Sequence, residues 1–148
     1  MTVVVGVSPT TGSPAALRWA AEEAKLRDIP MRAVMAWRTP RPPAAPGGRP
    51  PAGVESVADD NYAGTAEETL RGFVTEALGS DVGVDCVVVR GSAVKALLST
   101  AQGADLLVVG EPQAGRLGSV RTSLVAPQVV LRSPCPVVVM SGRAGARG

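Results

Sequence analysis

The chain of 148 residues, 45% apolar and 19% charged, has the composition of one globular domain with a substantial core. Its net charge of +2, with basic residues scattered among acidic ones, and its aromatic content of 3% argue against a nucleic-acid partner. The absence of histidine excludes any histidine-based nucleophile system and any metal site that needs an imidazole.

The sequence contains no recognisable targeting or membrane segment. The opening MTVVVGVSP lacks a basic segment ahead of a longer apolar one, and no apolar run approaches the roughly 20 residues of a spanning helix. We therefore expect a cytoplasmic protein without a membrane partner. Cys86 and Cys135 lie in or beside valine-rich runs and could form a disulfide or redox pair. We favour two small buried side chains in a reducing compartment, because no charged activator accompanies them.

The first quarter of the chain predicts a strand, a helix and a second strand. The β-branched run at residues 3–7 predicts a buried strand that ends at Ser8. Ser13 and Pro14 suit the N-cap and first position of a helix, which is expected to end before Pro30. Residues 31–37 predict the second strand.

Residues 38 to about 60, RTPRPPAAPGGRPPAGVESVADD, are rich in proline and glycine. This composition predicts a long surface loop. A docking segment for the aromatic groove of a partner is one interpretation. We favour an insertion between strand and helix, because the prolines follow no regular repeat.

The rest of the chain continues the alternation of helices and strands. A helix that starts after Ser92 carries Val94, Leu97, Leu98 and Ala101 at the i, i+3, i+4 and i+7 positions of an amphipathic helix. Other elements are a helix at residues 61–78, strands at 82–89, 104–110 and 136–140, a short helix near 127–132, and a disordered tail at 142–148.

Strands that alternate with helices and are apolar on both faces are typical of a parallel sheet covered on two sides. Ligands of such sheets bind at the carboxyl ends of strands, where the strand order reverses. The first and fourth strands end at Ser8 and Gly110, so the turns after them are candidate binding positions. Trp19 and Trp37 could stack on a base, but we favour core or dimer-facing anchors. For Lys95 we favour a solvated side chain over a catalytic amine.

Three stretches of the sequence resemble the universal stress protein family: VVVGVSPTTGSPAALRWAAEEA, GSAVKALLSTAQGADLLVVG and SPCPVVVM. Together they cover the chain except the proline-rich loop, in the family's order. The resemblance implies a single domain over residues 1–141 with a three-layer α/β/α architecture. Its open, parallel five-stranded sheet would have strand order 3-2-1-4-5, as in the adenine-nucleotide alpha-hydrolase-like folds, with two helices on each face. A homodimer paired through the last strand, residues 136–140, is also implied.

Nucleotide-binding members of this family carry Gly-x-x-Gly, nine residues, and then Gly-Ser or Gly-Thr. Those glycines let the backbone approach phosphate oxygens. On this sequence the motif keeps Gly110, but its second glycine falls on Gln113 and its last two positions fall on Ser123 and Leu124. Ser8 stands where binders usually have an aspartate. The family's nucleotide site is therefore mostly substituted here.

Other residues between 110 and 127 argue in both directions. Glu111 adds negative charge beside the phosphate position, and Pro127 lacks an N–H in the turn that would present donors. Gly115 keeps the loop flexible, however, and Arg116 and Arg121 could neutralise a phosphate.

We therefore expect a stress-response dimer that acts through an unknown protein partner, without a cofactor and without enzymatic activity. The alternative is a regulatory module that binds ATP with Mg²⁺ through the loop at residues 110–124. A third reading, slow ATP hydrolysis, needs a water-activating group, and Glu111 is the nearby candidate.

Overall fold

The computed structural model describes residues 1–9, 11–37, 54–110 and 125–140, without the side chains of residues 54–61 and 125. Strands and helices alternate along this part of the chain. In order they are β1 (Val3–Gly6), α1 (Pro14–Arg27), β2 (Met31–Trp37), α2 (Val54–Leu78), β3 (Val84–Arg90), α3 (Ala93–Thr100), β4 (Leu106–Gly110), α4 (Val125–Arg132) and β5 (Val137–Met140).

The five strands form one parallel sheet in the order β3-β2-β1-β4-β5, which confirms the predicted topology. In the central register, Val5 of β1 pairs with Ala33 of β2 and with Val108 of β4. The chain leaves β1 towards β2 on one side and returns to β4 on the other. The reversal of strand order therefore lies between β1 and β4.

Alternate residues of the central strands fill two separate apolar layers. Val3 and Val5 pack on the side covered by α1 and α2, while Val4 packs on the side of α3 and α4. Because both faces are covered, β1 and β4 at the centre of the sheet carry no polar side chain. The largest fully buried side chains are Leu17, Leu70, Leu107, Val3, Val4, Val5, Val34, Val74, Val108 and Val129.

The second helix begins earlier than the sequence predicted. It starts at Val54 rather than near residue 61, so the segment expected to be a loop over residues 38–60 is helical from residue 54. The last proline of this segment is Pro51, and beyond it no proline ring prevents helix formation before Pro112. Residues 38–53 and the predicted disordered tail at 142–148 lie outside the described residues. Strand ends and the start of α4 differ from their predictions by one or two residues.

The two cysteines lie at opposite edges of the sheet. Cys86 is in β3, and Cys135 comes just before β5. Four strand spacings of about 4.8 Å place these edges about 19 Å apart. A disulfide needs Cα atoms roughly 5.5 Å apart, so the two cannot pair within one chain. Both are free thiols and half-buried rather than fully buried, and the reducing compartment stays a prediction.

Candidate functional site

The turn between β1 and α1 meets the end of β4 where the strand order reverses. Gly6, the last residue of β1, is in register with Val109, one residue before Gly110. The hydroxyl oxygen of Ser13 lies 3.3 Å from the point that a Cβ atom on Gly110 would occupy. The structure therefore brings the turn after β1 against the end of β4, with the Ser13 hydroxyl at the contact.

Hydrogen bonds within residues 8–13 hold this turn closed. Ser8 N–H donates to Ser13 Oγ at 3.0 Å, Thr11 N–H donates to Ser8 Oγ at 3.4 Å, and Ser13 N–H donates to Thr11 Oγ1 at 3.2 Å. Gly12 N–H donates to the Ser8 carbonyl at 2.8 Å. Pro9 has no N–H to offer. Among the described residues of the turn, every backbone donor thus has an acceptor inside the turn.

Two successive residues in the left-handed region bend the chain into α1. Gly12 has φ of 75° and Ser13 has φ of 46°. A Cβ atom on Gly12 would lie 2.5 Å from the ring of Phe73 in α2. The turn is therefore held from two sides, by α2 at Gly12 and by the end of β4 at Ser13.

Ser13 occupies the predicted N-cap position of α1, but its side chain does not cap the helix. The predicted N-cap position is confirmed, but the Ser13 oxygen accepts the N–H of Ser8 instead of an N–H of the helix. Only the Ser13 carbonyl serves α1, accepting from Leu17 N–H at 3.0 Å. The sequence reasoning thus missed Ser13 as a site residue. A serine directly after Gly12 was the available signal, since glycine often marks a left-handed turn.

Ser8 stands where nucleotide-binding members of the family would have an aspartate, and it contributes no charge. Its hydroxyl oxygen accepts from Thr11 N–H, and its own N–H is held by Ser13. No charged side chain lies among the described residues of this turn, 8–9 and 11–13. Within these described residues, the donors available to an anion are backbone N–H groups, and they are already occupied.

The remaining predicted site positions lie outside the described residues: Gln113, Gly115, Ser123 and Leu124, together with Glu111, Arg116 and Arg121. Beyond them, Pro127 is the third residue of α4. A proline fits the first turn of a helix, where an N–H has no partner within the helix. This placement agrees with the expectation that Pro127 withdraws one donor from that turn.

Trp37 and Lys95 have the structural roles that we favoured for them. Trp37, at the end of β2, packs half-buried against the core layer under α1 and α2, as does Trp19. The guanidinium carbon of Arg90 lies 6.0 Å from the centre of the Trp37 ring, at the outer range of a cation–π contact. Lys95 is solvent-exposed on α3.

Two groups with shifted protonation equilibria lie away from the turn, on α2 and β3. Burial raises the pKa of the Cys86 thiol, with smaller opposing and supporting effects from nearby Arg71 and acidic residues. Hydrogen bonds from its guanidinium to Glu67 and Asp81 raise the pKa of Arg71. No group of three or more potential metal-ligating side chains occurs in the part of the chain that the structure describes.

A shallow apolar groove of about 320 Å³ lies at the opposite end of the sheet. Ile29, Met31 and Val84 line it at the amino ends of β2 and β3. Ligands of open parallel sheets bind at the carboxyl ends, so we assign the candidate site to the β1–β4 crevice rather than to this groove. Within the described residues, no helix is both long and apolar enough to cross a membrane.

Known proteins with this fold include several solved in the presence of nucleotides. UspA from Lactobacillus plantarum superposes with a TM-score of 0.68 at 17% identity, covering 95% of this chain and 97% of that one. A universal stress protein in complex with cAMP has a TM-score of 0.60 at 26% identity, covering 95% and 96%. An Arabidopsis thaliana family member with AMP bound has a TM-score of 0.55 at 19% identity, covering 95% and 90%.

Sequence comparison leads to the same family. A universal stress protein of Mycolicibacterium smegmatis is 32% identical over 142 residues, which are 95% of this chain and 48% of that protein. A universal stress protein of Mycobacterium tuberculosis is 26% identical over 147 residues, 96% of this chain and 48% of that protein. The chain thus spans about half the length of these relatives. Because the model of the Universal stress protein family matches residues 1–141, the chain belongs to that family.

Proposed function

We propose that this chain acts in the stress response as a homodimer that contacts a protein partner and does not depend on ATP. Membership of the universal stress protein family supports the stress-response role. We further propose that it performs no catalysis and resides in the cytoplasm. Its unpaired, half-buried cysteines are consistent with a reducing compartment.

The observation that carries ATP independence is the closed turn after β1. Backbone N–H groups at strand ends and helix starts are the usual donors to phosphate oxygens. Here the N–H groups of Ser8, Thr11, Gly12 and Ser13 already donate to acceptors within the turn. A phosphate would have to displace these contacts before it could be bound.

The sequence supports the same conclusion at the phosphate-loop positions. Gln113, Ser123 and Leu124 replace three of the four residues that nucleotide-binding family members carry there. A leucine has no hydroxyl to donate, and a glutamine adds a side chain where backbone must approach phosphate.

A second candidate function is a nucleotide-binding regulatory module. It is favoured by the similarity to a universal stress protein solved in complex with cAMP, at 26% identity over nearly the whole chain. In this alternative, ATP with Mg²⁺ would occupy the loop at residues 110–124. Slow hydrolysis, with Glu111 as the water-activating group, would be a variant of it.

Apolar exposure on β5 and α4 supports the proposed dimer. β5 is an edge strand, and an edge presents backbone groups that can pair with another chain. Val139 on β5 is 41% exposed, and Val130 and Leu131 on α4 are 52% and 85% exposed. The relatives are about twice as long as this chain, so a dimer of this chain would have about the same number of residues as one relative.

Sedimentation analysis of Val139→Lys, with and without ATP and Mg²⁺, tests the proposed function. The wild type should sediment as a dimer in both conditions, whereas the lysine should shift it to monomer by placing charges at the pairing edge. Val82→Lys is the matched control, because Val82 is 86% exposed and precedes β3 at the opposite edge. A wild type that dimerises only with ATP would contradict the proposal, as would a fully dimeric Val139→Lys.

A further inference from the structure

We propose that the apolar groove at the amino ends of β2 and β3 is the docking surface for the protein partner, and that it takes a short segment whose apolar side chains are flanked by basic residues. The groove lies between the carboxyl-terminal ends of α1 and α2, at the opposite end of the sheet from the β1–β4 crevice. This inference rests on the proposed function, which assigns a protein partner to the chain.

The walls of the groove are apolar and come from the ends of four elements and one connection. The side chains that form them are those of Ala24 in α1, Ile29 after it, Met31 in β2, Leu78 in α2 and Val84 in β3. Ile29, Leu78 and Val84 pack against the core layer under α1 and α2, yet they are only half-buried. An apolar segment in the groove would therefore remove from water a surface that the core leaves exposed.

The size of the groove limits what it can hold. Its volume of about 320 Å³ is at the lower end of the range of roughly 300–1,000 Å³ that is usual for ligand pockets. The groove therefore suits a few side chains of a short segment rather than the face of a folded domain. Contacts of this size are weak and transient, as is common in regulatory interactions.

Two carboxylates lie beside the groove and favour a cation there. Asp28, the C-cap residue of α1, follows the lining residue Ala24 by four positions, which is the spacing of one helix face. It is exposed, and its carboxylate has no ion-pair partner within the described part of the chain. Asp81 lies in the turn before β3, between two residues that line the groove.

The arginines near these carboxylates leave an excess of negative charge. The Arg71 guanidinium is shared by Asp81 at 3.4 Å and Glu67 at 3.0 Å, so one cation serves two anions. Arg27, in the last turn of α1, is paired with Glu23 at 2.9 Å. Neither arginine therefore neutralises the region fully.

The helix ends add to the negative potential of the groove. A helix carries about half a negative charge at its carboxyl terminus, and both α1 and α2 end here. The last turn of α2 has no basic residue. Lys25, in the last turn of α1, directly follows Ala24 and so projects about 100° around the helix from the side that lines the groove. Lysine or arginine residues beside an apolar anchor would complement these charges.

NMR titration of the isotopically labelled wild-type protein with acetylated, amidated tetrapeptides tests the proposal. Lys-Leu-Leu-Lys should shift the amide signals of Ala24, Ile29 and Val84. It should bind about 10-fold more tightly than Gln-Leu-Leu-Gln at low salt, because two exposed ion pairs each contribute a few-fold. Lys-Ser-Ser-Lys should produce no saturable shifts, because it has no apolar side chain to bury.

Asp28→Asn removes one of the two carboxylates without disturbing the backbone, since asparagine tolerates the left-handed φ of 55° at this position. This variant should bind Lys-Leu-Leu-Lys about threefold more weakly than the wild type and Gln-Leu-Leu-Gln equally well. Glu68→Gln is the matched control. Glu68 is exposed on α2, ten residues or about 15 Å before Leu78, so its neutralisation should leave both affinities unchanged.

Four results would overturn the proposal: no saturable binding of any peptide, equal affinities for the basic and neutral leucine peptides, shifts centred on the β1–β4 crevice, or equal weakening by Glu68→Gln and Asp28→Asn. The last would indicate diffuse attraction by the whole surface. Binding of n-octylamine but of neither leucine peptide would also overturn it, in favour of a small amphipathic amine. ATP affinity and sedimentation test the proposed function separately, so its failure is distinguishable from a failure of peptide binding.

Discussion

Because Gly12 has no side chain, the turn after β1 can bend into α1 while packing closely against α2. Its left-handed backbone, with φ of 75°, forms the bend before α1, and the ring of Phe73 from α2 lies 2.5 Å from the point that a Cβ atom on Gly12 would occupy. The turn after β1 consequently depends on α2 as well as on its own hydrogen bonds. A sequence can suggest the left-handed glycine, but it cannot reveal that Phe73 packs on it.

Gly12→Ala should lower the free energy of unfolding by about 3 kcal/mol, combining left-handed strain with overpacking against Phe73. Gly79→Ala is the control, because Gly79 has φ of 85° with no atom within 4 Å of a Cβ placed there. It should cost only the conformational part, about 1 kcal/mol. Urea unfolding measures both, and equal losses would show that the Phe73 contact is unimportant.

The Cys86 thiol makes the free energy of unfolding depend on pH in the alkaline range. Burial raises the pKa of its thiol, so the folded state retains the proton more tightly than the unfolded state. The stabilisation is complete below the unfolded pKa of about 8.5 and is lost as pH rises through the higher folded pKa. Above a pH of about 8.5, the free energy of unfolding of the wild type should therefore fall more steeply than that of Cys86→Ala. Urea unfolding at a series of pH values measures both. Parallel pH profiles for the wild type and Cys86→Ala would contradict this.

At the scale of elements, the same residue type at two helix starts has two different roles. Ser92 has an extended backbone, with φ of −70° and ψ of 134°, and its oxygen accepts the Lys95 N–H of α3. Ser13 has a left-handed backbone, and its oxygen serves the turn instead. Sequence patterns locate both helix starts, because a helix start favours serine. Such patterns do not distinguish the roles of the two serines, because those roles depend on backbone angles that tertiary contacts set.

Ser92→Ala should destabilise the protein by about 0.5–1 kcal/mol through loss of the α3 cap, at the low end because the bond is 3.5 Å long. Ser99→Ala serves as the control, since the Ser99 hydroxyl donates to the Ala96 carbonyl near the end of the same helix. Alanine favours a helix interior, so this change should be close to neutral. Thermal unfolding that ranks Ser99→Ala as the more damaging change would refute the assigned cap.

The start of α2 shows where composition misleads. Proline and glycine fill the segment up to Gly53, and their density suggested a loop that continued to residue 60. The helix in fact begins at Val54, as soon as those residues end. The strands were easier to predict, because β-branched runs such as Val3–Gly6 suit few other environments than a buried sheet.

For the whole molecule, the strand order and the location of the candidate site could both be predicted. Alternating elements with strands apolar on both faces indicate a covered parallel sheet, and the family resemblance supplied the order β3-β2-β1-β4-β5. From that order, the ends of β1 and β4 follow as the binding edge. The position of the Ser13 hydroxyl against Gly110 could not be predicted, because it depends on the left-handed backbone angle of Ser13 and on a contact between distant parts of the chain.

ATP affinity is the property on which the proposed function depends most directly. Calorimetric titration of the wild-type protein with ATP and Mg²⁺ should give a Kd of about 1 mM or weaker, corresponding to no more than about 4 kcal/mol of binding free energy. This result is expected because the N–H groups of Ser8, Thr11, Gly12 and Ser13 are already engaged. A Kd in the micromolar range would contradict the account and establish the nucleotide-binding alternative.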